Sequence, residues 1–159
     1  MTRKAPKSKQ VVSQDRFPLT DLVAFRLIHL ADVISRAATA VFEARFDLNN
    51  SELRALIVLR EEQPLTSAEL SRRGRIDKAW ISRSIDRLEK RRLVSREAHP
   101  TDSRMTLISL TAQGVELMTE LTPIATQRQK RLLSGLSPNE AFRVIEILER
   151  NAQDLLSNP

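Results

Sequence analysis

The sequence predicts a mainly α-helical fold with one small β-hairpin, bracketed by a long helix at either end. Three observations predict it. Helix-start signatures punctuate the chain at Asn49, Thr66, Asp77, Thr111 and Ser137. Apolar residues in the first and last segments recur at helical spacing. Only one stretch, about 93–110, reads as a pair of strands, joined by a loop containing HPTDSR. Hydrophobic residues make up 41% of the 159, enough to build a core.

Residues 1–16 (MTRKAPKSKQVVSQDR) read as a disordered basic arm ending near Pro18. From Thr20 to about Phe46, Val23, Leu27, Leu30, Ile34, Ala37 and Val41 recur at alternating steps of four and three, the stripe of a long helix. Asn49 with Glu52 opens a second helix, because an N-cap oxygen and an N3 carboxylate satisfy orphan backbone N–H groups reciprocally. That helix runs to about Glu62 and stops before Pro64. Thr66 with Glu69 opens a short helix ending near Gly74. Asp77 caps the next, which runs to about Arg92. Strands at roughly 93–97 and 105–110 follow. Thr111 caps a long helix to about Ser134, in which Pro123 is expected to introduce a kink. Ser137-Pro138-Asn139-Glu140 combines an N-cap, a first-turn proline and an N3 glutamate, and starts the last helix. No internal repeat is visible.

Composition narrows the chemistry. Without cysteine there is no disulfide, thiolate zinc site, thiol nucleophile or thiol redox switch. Two histidines make a poor zinc set, and three glycines, at 74, 114 and 135, form no phosphate loop. No nucleophile–base pair stands out, so no enzyme and no cofactor are expected. The basic N-terminus lacks the apolar run of a secretory signal, and no segment approaches the ~20 apolar residues that span a bilayer. A cytoplasmic protein without membrane association is expected. The net charge is +6 and the pI about 10.5, which favours a polyanionic partner. The charge is concentrated. Residues 72–104 hold eleven bases and five acids, +6, as much as the whole chain.

That basic stretch contains the helix expected over 78–92. At 100° per residue, Ile81, Ile85 and Leu88 fall together on a core face. Ala79, Arg83, Asp86 and Lys90 lie opposite, with Trp80, Arg87 and Arg91 on one flank. An apolar back and a mostly cationic front suit insertion into a DNA major groove about 12 Å wide. With the preceding short helix and tight turn, this is a helix-turn-helix, whose second helix reads base edges with its N-terminal residues. The HPTDSR loop, carrying Asp102 and Arg104, would form a wing, and an arginine at its tip suits a narrow minor groove.

The stretch from Leu65 to Gly114 resembles the winged helix of the multiple antibiotic resistance regulator (MarR) family. The family's D-x-R wing signature stands as Asp102-Ser103-Arg104, and its L-T-x-x-G as Leu110 to Gly114. Its recognition-helix pattern stands as Ser82-Arg83 and Asp86-Arg87-Leu88. LNNSEL resembles the start of its second helix. The likeness covers roughly 20–157. It implies a winged helix-turn-helix over about 48–110 and dimerisation helices over about 18–47 and 111–157, in a single domain spanning 17–159. Two positions depart from the pattern. Trp80 stands where a small hydroxyl residue is usual, and Ala79 where serine is common. Both changes remove base-reading hydroxyls and shift the load to Arg83, to contacts with thymine methyls and to the wing.

The expected DNA-binding residues are Thr66, Ser67, Lys78, Ala79, Trp80, Ser82, Arg83, Arg87, Lys90, Asp102 and Arg104. Structural alternatives stand beside several of them. Thr66 and Ser67 either set helix-start N–H groups against a phosphate or only cap. Trp80 either meets DNA or packs over Ser84 and the stem of Arg87. Arg83 is either a base reader or a solvated side chain, and Asp102 and Arg104 either serve DNA or pair to hold the loop. His99 reads as solvated.

The last helix carries Phe142, Val144, Ile145, Ile147, Leu148, Ala152, Leu155 and Leu156, wider than one apolar stripe, and the first helix is similar. Pairing these helices between two chains gives a two-fold dimer, the alternative being an intrachain bundle. The resemblance also implies a small aromatic acid as effector. Arg26 and His29 share a helix face and suit its carboxylate, the alternative being an exposed arginine and a hydrogen-bonded core histidine. The expected function is that of a homodimeric, sequence-specific transcriptional repressor on double-stranded DNA, released by such a ligand. The competing expectation is a non-specific architectural DNA-binding protein.

Overall fold

A computed structural model describes residues 18–102 and 104–158. The basic arm expected over 1–16 lies outside the described residues, as does Ser103. A 3-10 turn at Leu19–Asp21 leads into α1 (Val23–Phe46), followed by α2 (Asn50–Glu61), β1 (Leu65–Thr66), α3 (Ser67–Gly74) and α4 (Lys78–Lys90). Then come β2 (Val94–Ala98), β3 (Thr106–Leu110), α5 (Ala112–Leu132) and α6 (Pro138–Ser157). The mainly helical fold with long outer helices is the one expected. α1 begins later than Thr20 because the Asp21 N–H bonds the Pro18 carbonyl at 2.8 Å, closing a tighter turn first.

The chain divides into two compact units between Asn50 and Ser51. In the first, α1 ends where Asp47 takes the left-handed conformation and its N–H bonds the Glu43 carbonyl at 2.9 Å. The rings of Phe42 and Phe46 lie 6.4 Å apart, and the Asn50 side chain donates to Ser35 Oγ at 3.0 Å. Phe42 is the only buried residue of α1.

The second unit holds the larger core. Leu56, Leu59, Leu70, Ile85, Leu88 and Ile108 are fully buried, each worth roughly 1.5–3 kcal/mol. Its sheet has three antiparallel strands, ordered β1-β3-β2, where the sequence led us to expect two. The extra strand pairs Leu65 with Ile108 and Thr66 with Leu107. Two residues are too few to display alternation, and one of them doubles as a helix cap, which hid the strand. The Gln63 carboxamide oxygen accepts the Leu110 N–H at 2.6 Å beside it.

Thr111 caps α5 by accepting the Gly114 N–H at 3.1 Å. Gly114, Met118 and Leu121 bury the first half of that helix. Beyond Leu121 no residue of α5 is buried, and α6 buries none at all. α5 runs continuously through Pro123. Arg60 from α2 reaches this point, donating to the Met118 carbonyl at 2.9 Å and to the Thr122 hydroxyl. The α6 capping box is as expected, with Ser137 and Glu140 exchanging bonds of 3.2 Å. Those bonds hold the Glu140 carboxyl below its ordinary range.

Candidate nucleic-acid interface

The interface begins at the α3 capping box. Thr66 Oγ1 accepts the Glu69 N–H at 3.3 Å, while the Thr66 N–H and hydroxyl each donate to Glu69 Oε2 at 2.8 Å. The Thr66 side chain is thereby committed to the cap, and Ser67 stays exposed at the helix start. The Thr66 backbone and side-chain bonds hold the Glu69 carboxyl below its ordinary value of 4.5. A depressed folded-state pKa adds stability above the unfolded-state value, and that stability is lost as pH falls through the folded value. Glu69→Gln is therefore expected to lower stability by about 0.5 kcal/mol at pH 7. The deficit should shrink below pH 4.5, as urea unfolding midpoints across pH will register.

The turn between α3 and α4 is tightly tied. Ser71 Oγ donates to the Ile76 carbonyl at 2.6 Å, and the Ile76 N–H returns to the Ser71 carbonyl at 2.9 Å. Arg75 turns the chain with φ 48°, in the left-handed region, and buried Ile76 pins the turn to the core. Asp77 Oδ1 then accepts the Ala79 N–H at 2.8 Å and starts α4.

α4 buries Ile81, Ser84, Ile85 and Leu88, the expected face with Ser84 added. Lys78, Ala79, Trp80, Ser82, Arg83, Asp86, Arg87 and Lys90 are all exposed. The structure thus brings the predicted α4 residues onto one outward surface. The Arg83 guanidinium carbon lies 5.6 Å from the Trp80 ring centroid. Arg87 turns instead to Glu52, its Nε 3.3 Å from Oε1 of that fully buried carboxylate. Glu52, expected only as an N3 capping residue, thus reaches across to α4. Arg87 keeps 44% of its side chain exposed, so the pair anchors its stem without removing it from the surface.

One organising residue escaped the sequence reading. Arg96 on β2 bridges Asp86 at 2.6 Å and Glu89 at 2.7 Å, neutralising two acids on the edge of α4. The available signal was the i, i+3 spacing of those acids beside a strand with an inward-reaching base. Arg96→Ala is expected to uncover both carboxylates and weaken binding to any duplex by about 5- to 10-fold at low salt. The cost in stability should stay below about 1 kcal/mol, since the pairs are part-exposed. Titration of scrambled and selected duplexes at several salt concentrations measures the first effect.

In the wing, Asp102 Oδ1 accepts the Arg104 backbone N–H at 3.0 Å, and the Asp102 carbonyl accepts the Met105 N–H at 2.9 Å. The Asp102 carboxylate and carbonyl thus hold the loop through backbone N–H groups, and no ion pair joins Asp102 to Arg104 among the described residues. The Arg104 side chain is exposed. His99, expected to be solvated, is part-exposed, and its Nδ1 accepts the Thr101 N–H at 3.3 Å, a local bond within the loop. On α1, Arg26 and His29 are both exposed, so His29 is not a core residue of this chain. Among the described residues no cluster of His, Cys, Asp and Glu suits a metal ion, and no helix is long and apolar enough to cross a membrane.

A family model for the MarR family matches residues 46–105, the winged-helix portion. An uncharacterised HTH-type transcriptional regulator of Bacillus cereus is 32% identical over 124 residues, covering 78% of this chain and 82% of the relative. The HTH-type transcriptional repressor NicR of Pseudomonas putida is 26% identical over 153 residues, covering 94% of each chain. Among solved structures, Bordetella bronchiseptica BpsR, whose DNA binding is regulated by 6-hydroxynicotinic acid, matches with a TM-score of 0.65 at 25% identity. That match covers 80% of this chain and 98% of BpsR.

Proposed function

The chain belongs to the MarR family of transcriptional regulators, and from that premise we propose that it is a homodimeric repressor. It reads a pseudo-palindromic operator and is released from it by a small aromatic acid. The observation that carries the reading is the α4 surface, where Lys78, Ser82, Arg83 and Lys90 stand exposed over a buried apolar back. Lys78 and Lys90 at the two ends of the helix suit phosphates, and Arg83 suits a base edge. Arg104 at the exposed wing suits the minor groove.

The dimer is supported by apolar surface left open on both outer helices. α1 exposes Val23, Phe25, Ile28 and Leu30, and α6 exposes Phe142, Ile145, Leu155 and Leu156. A second copy covers such faces, and a two-fold pair presents two reading heads to half-sites about one helical turn apart. The aromatic-acid effector is supported by the likeness to BpsR, and we assign its carboxylate to Arg26 and His29, which stand exposed three residues apart on α1. A ligand that binds better to a head spacing unfit for DNA shifts the population off the operator.

Selection of bound duplexes from a random pool tests the reading. One palindromic consensus is expected. Arg83→Ala should bind it about 5- to 150-fold more weakly, the equivalent of roughly 1–3 kcal/mol, with specificity relaxed at one position per half-site. Steeply salt-dependent binding without a consensus would instead mark an architectural protein.

A further inference from the structure

Trp80 is the only tryptophan in the chain and stands 56% exposed in the first turn of α4. Ile81, Ile85 and Leu88 already supply the helix's core contacts, so the indole contributes little to folding. The Arg83 guanidinium carbon lies over it, 5.6 Å from the ring centroid. The neighbouring arginines are engaged elsewhere. Arg87 is paired with Glu52, and Arg96 occupies Asp86, the acid nearest in sequence on the α4 front. Among the described residues, no carboxylate pairs with Arg83. Its orientation on the surface is set by the aromatic ring rather than by an acid.

A guanidinium laid over an indole has already surrendered much of its rotamer freedom, so less is lost when it docks. Its planar fork matches the O6 and N7 acceptors of guanine in the major groove. The indole lies one turn nearer the helix N-terminus, and the carbocyclic part of its rim is apolar. The only apolar group that a base displays in the major groove is the C5-methyl of thymine. We propose that Trp80 is a specificity-determining residue. It holds Arg83 in place for a guanine and packs its own edge against the C5-methyl of the neighbouring pyrimidine, so that each half-site carries a guanine beside a thymine. This rests on the reading above, in which α4 enters the major groove of an operator.

The test uses the full chain and the duplex selected from the random pool. Each thymine beside a guanine is replaced in turn by deoxyuridine, which lacks only the methyl. At one position per half-site this should weaken wild-type binding by about 3- to 10-fold, the value of one apolar contact on each half. Trp80→Ala should bind the unmodified duplex more weakly by a similar factor and be indifferent to deoxyuridine. Trp80→Phe should retain part of the methyl sensitivity, and circular dichroism should show both variants folded. Equal deoxyuridine sensitivity in the wild type and Trp80→Ala overturns the proposal, as does wild-type affinity in Trp80→Ala. A selected site with no methyl dependence overturns this proposal alone. A pool that yields no consensus overturns the regulator reading, and this proposal with it.

Discussion

Replacing Gly114 by alanine is expected to destabilise the second unit by more than about 3 kcal/mol, the upper end of what overpacking costs. A Cβ at this position would stand 2.1 Å from the Leu93 carbonyl oxygen and 3.1 Å from its carbon. Both atoms are backbone, so no rotamer change relieves the clash. The segment cannot simply back away either. The Leu93 carbonyl accepts the Thr111 N–H at 3.1 Å, and the Thr111 hydroxyl donates to the Arg92 carbonyl at 2.5 Å. The first turn of α5 is thus laid against the corner where α4 gives way to β2. Moving it apart breaks those bonds and opens the layer holding Met118 and Leu121. Gly135 is the natural control. It has φ +86° but open space around it, so alanine there should cost only the left-handed backbone penalty, about 1 kcal/mol. Urea midpoints of the two variants should differ several-fold in their displacement from wild type. A Gly114→Ala protein as stable as Gly135→Ala would mean that the corner is not the rigid joint described.

Local signals were read directly from the sequence, and contacts between elements were not. The caps at Thr66, Asp77, Thr111 and Ser137 stand where expected, because each involves atoms within three residues of one another. The core stripe of α4 followed from its 100° spacing, and the cationic front followed with it. The L-T-x-x-G run was recognisable as a family signature, but its physical reason is the Leu93 carbonyl, which lies 21 positions earlier in the chain than Gly114. The pairing of charges was illegible for the same reason. Nothing in the sequence assigns Arg87 to a carboxylate buried at the start of α2, or Arg96 to both acids on the edge of α4. Sequence reasoning therefore located the candidate interface but did not reveal which of its arginines are committed to the fold. Arg83 is the proposed reader partly because Arg87 and Arg96 are held in ion pairs with acids of the fold.

Glutamate at both Ile145 and Leu156 is expected to leave each chain folded and to separate the proposed dimer. The two positions lie eleven residues apart on α6, which at 100° per residue places them within about 20° of each other, on one face. They are 49% and 77% exposed in the single chain, so polar replacements should change its stability by no more than about 0.5 kcal/mol. Across a two-fold axis the same substitutions count twice. Four carboxylates would enter an apolar contact made of residues such as Phe142 and Leu155, without partners, each at a cost of several kcal/mol. Sedimentation should then report a monomer with an unchanged helical signal. Operator affinity should fall by at least about 100-fold, because the second half-site no longer binds as part of the same particle. Binding to an isolated half-site should be unaffected, since the α4 surface is untouched. That split separates loss of pairing from loss of reading, which no single-affinity measurement can do. A double variant that still sediments as a dimer would move the two-fold contact off this face of α6 and leave its exposed leucines without a role.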